Sequence, residues 1–252
     1  GIFAGRLLGV PVVADLQDLG SKPGLFKQSN RLICCSRNTL DYALRGGYPM
    51  ERTEFIPLPL APLEKAESGY VKEVKTKYGI DLNKLLICFL GDMVEYKGVY
   101  ELIEAYKIFK KRHPNFLLIL MGENREGRKI MNAIRNTEGV IYLGALLRGE
   151  ALAMLQGSEV LVLPSKSESL GGVCLEAMSL GVKVVCPPKV PEFQENCPEF
   201  ALKDVKPETI AEKMDWVLSI KAVPKYPLER HDAKRVAHRL YELHRSMITP
   251  TR

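Results

Sequence analysis

Two carboxylates and a pair of glycines lie close together in the segment "SKSESLGGVCLEAMSLGVKVV", residues 165–185. Glu168 precedes the pair Gly171 and Gly172, and Glu176 follows it. The residues after the glycines predict a helix that begins at Gly172. Backbone N–H groups at a helix start have no intrahelical partner, and glycines leave them open to an oxygen-rich ligand such as a phosphate. The segment therefore predicts a binding site.

The predicted helix runs to about Leu180, and Gly181 closes it as a C-terminal cap. Its spacing predicts that Val173, Ala177 and Leu180 face the core, with Glu176 at the border of this stripe. A carboxylate at such a border is partly desolvated and needs a hydroxyl or cation partner. A solvated loop acid, or a helix-start acid favoured by the dipole, would explain either glutamate alone. The two acids and the glycine pair together favour a binding function.

Apolar strands alternate with helices from about Tyr70 onward. The predicted strands are "LLICFLGD", "FLLILMG", "VIYLG", "EVLVLP" and "VKVVCPP", and the helices between them are "GVYELIEAYKIFKKRHP", a polar run over about 125–135, "RGEALAMLQG" and the helix described above. Such an alternation predicts an α/β fold whose parallel sheet is covered on both faces. Ligands of these sheets bind beyond the carboxyl ends of the strands, so we expect the site in loops 91–98, 122–126, 144–149 and 164–172.

Residues 1–62 form a smaller predicted unit. "PVVADLQDL" predicts a strand, "NRLICCSRNTLDYALRGG" predicts a strand and a helix, and the proline-rich "FIPLPLAPLEKAESG" predicts a linker. Sixty residues are too few for a second complete α/β domain. We therefore expect the end of such a domain, whose earlier strands come from preceding chain or from another chain.

The composition is that of an ordinary globular protein, with 46% hydrophobic and 26% charged residues in 252. No apolar run is long enough for a membrane span. The net charge of +6 is concentrated in residues 221–252, where aromatic residues are not interleaved with the basic ones as a nucleic-acid groove requires. We therefore expect no nucleic-acid partner. A solvated helix face explains the basic tail better than a membrane-binding patch does.

Cysteines and histidines give no sign of a metal site. The six cysteines lie mostly in apolar runs without C-x-x-C spacing, which predicts buried, reduced thiols in a cytoplasmic protein. The four histidines offer no convincing ligand set: we expect His231 and His238 to share one helix face, with no obvious third ligand.

The motifs, taken in order, resemble a known family. "E-S-L-G-G-V-C-L-E-A-M" resembles the E-x7-E signature of family 4 retaining glycosyltransferases of the GT-B fold. "FLGDMVEYKGVYELIEAY", "LLILMGEN", "VIYLGALLRGEALAMLQGSEVLVLPS" and "RLICCSRNTLDYALRGGYPMERTEFIPLPL" resemble other parts of the family, in the family's order. The resemblance implies Rossmann-like, doubly wound parallel sheets. Residues 1–62 would be the remnant of an acceptor-side domain, 63–222 a nucleotide-sugar-binding domain, and 223–252 a helix that crosses back to the first.

The resemblance also implies an activity and residue roles. A sugar would pass from a nucleoside-diphosphate sugar, UDP- or GDP-linked, to an acceptor with retention, without a metal or other cofactor. Glu176 would hold the ribose hydroxyls, Glu168 the hydroxyls of the sugar, and Lys97 the diphosphate, where a cation stabilises the leaving group. The backbone around the helix start and three strand-end loops would complete the substrate-binding set, which comprises Leu170, Gly171, Gly172, Val173, Gly91, Asp92, Gly122, Gly144 and Gln17.

Two positions differ from the usual family pattern. Family members commonly carry an arginine where this chain has Asp92, so Arg125, Arg148 or Lys166 would have to compensate the acid near a diphosphate. Many also carry a histidine after the strand "PVV", where this chain offers Gln17 and Asp18 instead. Gln17 can donate and accept hydrogen bonds, but it cannot carry a proton.

Other functions stay open at this point. The same fold could belong to a catalytically inactive nucleotide-sugar-binding or regulatory subunit, or to a phosphorylase or epimerase relative. The sequence does not name the acceptor, which could be a saccharide or a lipid-linked molecule. We expect a cytoplasmic location, with peripheral contact to the cytoplasmic membrane face as an alternative.

Overall fold

The computed structural model describes residues 8–248, which contain two parallel β-sheets. The small sheet has the order β1-β2-β3, and its strands are β1 (Val13–Leu16), β2 (Arg31–Cys34) and β3 (Thr53–Phe55). The large sheet has the order β6-β5-β4-β7-β8, and its strands are β4 (Leu85–Leu90), β5 (Phe116–Met121), β6 (Val140–Gly144), β7 (Val160–Val162) and β8 (Lys183–Val185). Every strand pair is parallel, so the α/β prediction is confirmed.

Helices follow almost every strand. They are α1 (Pro23–Phe26), α2 (Arg37–Arg45), α3 (Ser68–Lys77), α4 (Val99–Lys110), α5 (Arg128–Arg135), α6 (Arg148–Gln156), α7 (Gly172–Leu180), α8 (Pro191–Asn196), α9 (Pro207–Ser219) and α10 (Ala233–Ile248). The predicted helices of the large-sheet region are all present. The predicted end of α7 at Leu180 is confirmed, and Gly181 caps it with a left-handed φ of +77°.

The strand order creates a crevice beside β4. The chain adds β5 and then β6 on one side of β4, and returns to add β7 and β8 on the other side. The loops after β4 and β7 therefore leave the sheet where the winding direction changes, which is where doubly wound sheets bind their ligands. Buried side chains such as Leu86, Phe89 and Leu161 hold these two strands rigidly within the main core.

Several elements were missed by sequence reasoning, among them β3, α3 and α9. β3 pairs with β2 in the small sheet; it directly follows a 3-10 turn (Met50–Arg52), and its last residue begins the predicted linker. It has only three residues, none of them fully buried, so it shows no periodic apolar pattern. α3 was missed for a related reason: Val74 is its only buried side chain.

The last helix packs against the small sheet. Val236 and Leu243 of α10 share a buried cluster with Ile33 of β2 and with Ile56. Just before α10, the Leu60 N–H donates to the His231 carbonyl at 2.7 Å. The segment leaving the small sheet and the segment returning to it thus run side by side.

The expected location of the two histidines was wrong. His231 lies in a 3-10 turn (Leu228–His231) ahead of α10 and is 3% exposed, whereas His238 lies on the exposed surface of α10. The reason is that the chain bends at Asp232, and α10 begins only at Ala233. The imidazole of His231 lies between the Leu58 carbonyl, 2.8 Å from Nδ1, and the Tyr226 hydroxyl, 3.0 Å from Nε2.

Cysteine burial follows the prediction, since all six thiols are buried and none forms a disulfide. No helix within residues 8–248 combines the length and apolarity needed to cross a bilayer.

Burial of His231 generates a prediction for the pH dependence of stability. Desolvation lowers the pKa of His231 in the folded protein, so below about pH 6.5 the unfolded chain binds a proton that the folded chain does not. This stabilisation is present above pH 6.5 and is lost as the pH falls. We expect the melting temperature of the wild type to fall more steeply from pH 7.5 to 5.5 than that of His231→Gln. Parallel curves in differential scanning calorimetry would contradict this.

Candidate functional site

An ion pair spans the crevice between the loops that follow β4 and β7. Lys97 ends a 3-10 turn (Glu95–Lys97) after β4, and Glu168 lies in the loop between β7 and α7. Lys97 Nζ is 2.5 Å from Glu168 Oε1, and the Ser165 hydroxyl donates to the same oxygen at 2.8 Å. The side chains are only 20% and 8% exposed, respectively. Glu168 is therefore not a solvated loop acid, which was the alternative to a binding role.

Gly98 allows the two loops to approach so closely. Its φ is +72°, and a Cβ atom at this position would lie 2.1 Å from the Pro164 carbonyl oxygen. Immediately before it, the Tyr96 carbonyl accepts a hydrogen bond from Lys166 N–H at 2.8 Å. The β4 loop thus rests on the backbone of the β7 loop, and this contact directs Lys97 towards Glu168.

The start of α7 is less open than the sequence predicts. Leu170 and Gly171 are buried, Gly172 is half-buried, and the side chain of Leu58 lies against Gly172. Because the Leu170 side chain is 1% exposed and part of the core, only its backbone is available for a ligand. The predicted binding contribution of Leu170 is therefore restricted to its backbone.

Glu176 has the cation partner that its position requires. Arg148, the first residue of α6, donates from Nη2 to Glu176 Oε1 at 2.8 Å. The Glu176 side chain is 16% exposed and that of Arg148 is 63% exposed. A partly desolvated carboxylate at the border of the helix was predicted, and this is confirmed.

The prediction that Val173, Ala177 and Leu180 face the core is confirmed. Ala177 and Leu180 are buried, and Val173 is half-buried and packs against the main core. Cys174, Leu175 and Met178 are buried as well. Because α7 is apolar around most of its circumference, more of the helix is buried than the predicted stripe.

Three predicted glycines lie side by side at the ends of neighbouring strands. The Gly91 N–H donates to the Met121 carbonyl, and the Gly122 N–H donates to the Gly144 carbonyl, both at 2.9 Å. Gly122 has a φ of +139°, and a Cβ atom there would lie 2.0 Å from the Gly91 carbonyl oxygen. The ends of β4, β5 and β6 thus lie level with one another, and the three glycines form a backbone surface without side chains.

The negative charge of Asp92 is compensated by Arg125, one of the three cations that were expected to offset it. Arg125 Nε lies 2.7 Å from Asp92 Oδ2, and its Nη2 lies 2.7 Å from Glu123 Oε2. The other two candidates have different partners: Arg148 binds Glu176, and Lys166 Nζ lies 2.6 Å from Glu101 Oε1.

A cleft of about 710 Å³ opens in front of the Lys97–Glu168 pair. The large-sheet side contributes Tyr96, Lys97, Ser167, Glu168 and Ser169, and the loop after β1 contributes Asp18, Leu19, Gly20 and Ser21. The predicted residue Gln17 is turned aside, and its amide donates to Asp15 Oδ2 at 2.8 Å.

Asp18, which was considered together with Gln17, lies in the cleft wall. Its Oδ1 accepts hydrogen bonds from the backbone N–H groups of Gly20 and Ser21, at 2.8 and 3.0 Å, and this shapes the cleft wall. An aspartate followed two residues later by glycine is a turn signal that was available in the sequence.

A comparison with known families identifies the class of the chain. The family model for glycosyl transferases group 1 matches residues 71–235, a segment that includes Lys97, Glu168 and Glu176. The matched segment is more than half of the chain, and the chain belongs to this family.

Individual relatives agree with this assignment. The chain is 28% identical over 213 residues to a D-inositol 3-phosphate glycosyltransferase of Pseudarthrobacter chlorophenolicus, covering 73% of this chain and 50% of the relative. It is 26% identical over 171 residues to the uncharacterized glycosyltransferase MJ1069 of Methanocaldococcus jannaschii, covering 65% of this chain and 42% of the relative. The chain thus spans half or less of the length of these relatives.

A solved structure shows the same fold. HepE of Anabaena in complex with UDP and glucose superposes with a TM-score of 0.81 at 17% identity, over 98% of this chain and 74% of that one. HepE was also solved in complex with UDP-glucose. At this identity the similarity concerns the fold alone, and the predicted GT-B architecture is confirmed.

The close contact at Gly98 generates a prediction that separates the cost of a side chain in a left-handed backbone from the cost of a steric clash with Pro164. Gly98→Ala adds a left-handed penalty of about 1–2 kcal/mol and an overpacking penalty of about 1–3 kcal/mol. Gly79→Ala is the matched control, because Gly79 has a φ of +68° but no neighbour within 4 Å of an added Cβ. We expect urea unfolding to show a larger loss of stability for Gly98→Ala. Equal losses would mean that the contact with Pro164 does not constrain the loop.

Proposed function

We propose that the protein transfers a sugar from a nucleoside-diphosphate sugar to an acceptor with retention of anomeric configuration, as a family 4 glycosyltransferase. The observation that carries this proposal is the half-buried Lys97–Glu168 pair at the switch point of the large sheet, with Glu176 on the following helix. Membership of the glycosyl transferases group 1 family supports it. The UDP and UDP-glucose bound to HepE, a protein of the same fold, support a nucleotide-sugar donor.

In the proposed reaction, the bond between the anomeric carbon and the diphosphate oxygen breaks, and its electron pair leaves with the nucleoside diphosphate. The acceptor oxygen forms the new glycosidic bond and gives up its proton to the departing diphosphate oxygen. Lys97 stabilises the charge that develops on the leaving group, and the N–H groups at the start of α7 add to this effect. These positive groups allow the reaction to proceed without a metal ion or another cofactor.

Glu168 and Glu176 hold opposite ends of the proposed donor. Glu168 faces the cleft, where its carboxylate accepts hydrogen bonds from hydroxyls of the transferred sugar. Glu176 accepts from the ribose hydroxyls on the open face of α7. Its partner Arg148 is largely exposed and can turn to the nucleotide when the ribose occupies the carboxylate.

A binding subunit without turnover is the second candidate function. It is favoured by the cluster in which Arg125 lies between Asp92 and Glu123, because two acids and one cation leave a net negative charge beside the proposed diphosphate position. Such a protein would bind a nucleotide sugar through Glu176 but would not stabilise the departing diphosphate.

The acceptor side is proposed in general terms only. The acceptor is a saccharide or a lipid-linked molecule, and it enters from the wall that contains Asp18 and Ser21. We propose a cytoplasmic location. Exposed basic side chains of α10, such as Lys234 and Arg235, provide a surface for peripheral contact with an anionic membrane.

Removal of Glu176 is expected to weaken donor binding. Loss of two hydrogen bonds between hydroxyls and a carboxylate corresponds to about a 100-fold increase in Kd. UDP- and GDP-sugars are first ranked by thermal shift, and the best ligand is titrated by calorimetry against wild type and Glu176→Ala. Glu138→Ala, whose side chain is 96% exposed, is the control and should bind as the wild type does. Unchanged affinity in Glu176→Ala would remove this residue from the site.

The turnover of the bound donor separates the two candidate functions. We expect the complete protein to release nucleoside diphosphate from the donor and Lys97→Met to lower kcat by about 10²–10³-fold. Lys111→Met, on the exposed surface after α4, should leave kcat unchanged. NMR of the product should show the anomeric configuration of the donor. Binding without any turnover would favour the second function, and an inverted product would contradict retention.

A further inference from the structure

We propose that Asn38 is a positioning residue for Glu168: it fixes the backbone of Glu168 from the opposite side of the cleft. This inference rests on the proposed function, in which the Glu168 carboxylate holds the transferred sugar. Asn38 belongs to α2, which follows β2 of the small sheet, whereas Glu168 belongs to the loop that follows β7 of the large sheet.

The contact is made by one amide group. Asn38 Nδ2 donates to the Glu168 carbonyl oxygen at 2.8 Å and to the Lys189 carbonyl oxygen at 2.7 Å. These two carbonyls come from the loops after β7 and β8, which are neighbours in the large sheet. A single side chain of the small-sheet region therefore ties two loops of the large-sheet region to each other and to itself.

An asparagine is required for this geometry. Its NH₂ group has two protons that can be directed to two acceptors, whereas aspartate has none and serine has one. The group is presented by a rigid support, because Ser36 caps α2 in a reciprocal capping box with Thr39, and both residues are fully buried. The position of the amide is thus determined by the small-sheet core.

The Glu168 side chain is oriented by the large-sheet region. Its Oε1 is fixed by Lys97 and Ser165, both of which belong to that region. Asn38 supplies the third attachment, on the main chain of the same residue. All three attachments of Glu168 are therefore made only when the two walls of the cleft are together, and Asn38 transmits the position of the acceptor-side wall to the residue whose carboxylate holds the donor sugar.

A second contact of α2 provides an internal control. The Arg37 N–H donates to Glu192 Oε1 at 2.7 Å, and the Arg37 guanidinium pairs with Glu195 of α8. This contact joins the same two regions, but it does not touch the Glu168 loop. Glu195→Gln therefore weakens the interface without removing an attachment of Glu168.

The test compares Asn38→Ala, Asn38→Asp and Glu195→Gln in the complete protein, with the donor selected by thermal shift. We expect Asn38→Ala to lower kcat by ~10–100-fold, because a small displacement of a positioned group is costly, with donor Kd unchanged. Asn38→Asp should be slower still, since its carboxylate faces two carbonyl oxygens. Glu195→Gln should keep wild-type kcat.

Wild-type kcat in Asn38→Ala, or an equal loss in Glu195→Gln, would overturn the proposal. An Asn38→Asp variant as active as the wild type would also overturn the proposal. Because aspartate has the shape of asparagine but no NH₂ group, such a result would show that the two donated hydrogen bonds are not needed.

Hydrogen exchange tests the same inference without relying on activity. A peptide covering residues 165–173 should exchange faster in Asn38→Ala than in the wild type and in Glu195→Gln. Unchanged exchange in Asn38→Ala would overturn the positioning role whatever the enzyme assays show. A wild type that binds no nucleotide sugar would instead contradict the proposed function, and the exchange comparison would still decide whether Asn38 holds the Glu168 loop.

Discussion

The ion pair between Lys97 and Glu168 is the interaction on which the site depends. Removing two charges from water is costly, and the attraction between them offsets this cost only with good geometry and further hydrogen bonds. The structure meets these conditions with the Ser165 hydroxyl on the carboxylate and with Gly98, which allows the Lys97 loop to rest on the Pro164 carbonyl. The requirement for this glycine is therefore a consequence of the charge pair, and the parallel sheet supplies the two strand ends that bring the charges together.

The other acids of the crevice follow the same pattern with less burial. Glu176 binds Arg148 at the start of α6 and Asp92 binds Arg125 of the β5 loop, and these arginines are 63% and 57% exposed. Exposed ion pairs contribute little to stability, about 0–1 kcal/mol. They can therefore be exchanged for contacts to an anionic ligand at low cost. The cation nearest to Asp92 is thus Arg125 of the β5 loop, which is held by two acids, Asp92 and Glu123.

Much of the large sheet could be predicted from the sequence because its strands are buried on both faces, and continuous apolar runs such as "LLICFL" identify such strands directly. The same runs fix the strand ends, and therefore the loops that hold Lys97 and Glu168. Features that depend on contacts between distant parts of the chain could not be predicted from such runs. The short strand β3 depends on pairing with β2, and none of its side chains is fully buried. The pairing of Arg125 with Asp92 required the three-dimensional arrangement of two loops.

The connection between the two sheets lies close to the site itself. Leu58 contacts the start of α7 with its side chain and His231 with its carbonyl, while Leu60 pairs with the chain that enters α10. The segments that join the sheets are thus in direct contact with the helix start proposed to bind the donor, and α2 reaches the Glu168 backbone from the other side. A relative movement of the two sheets would therefore disturb both the helix start and the carboxylate.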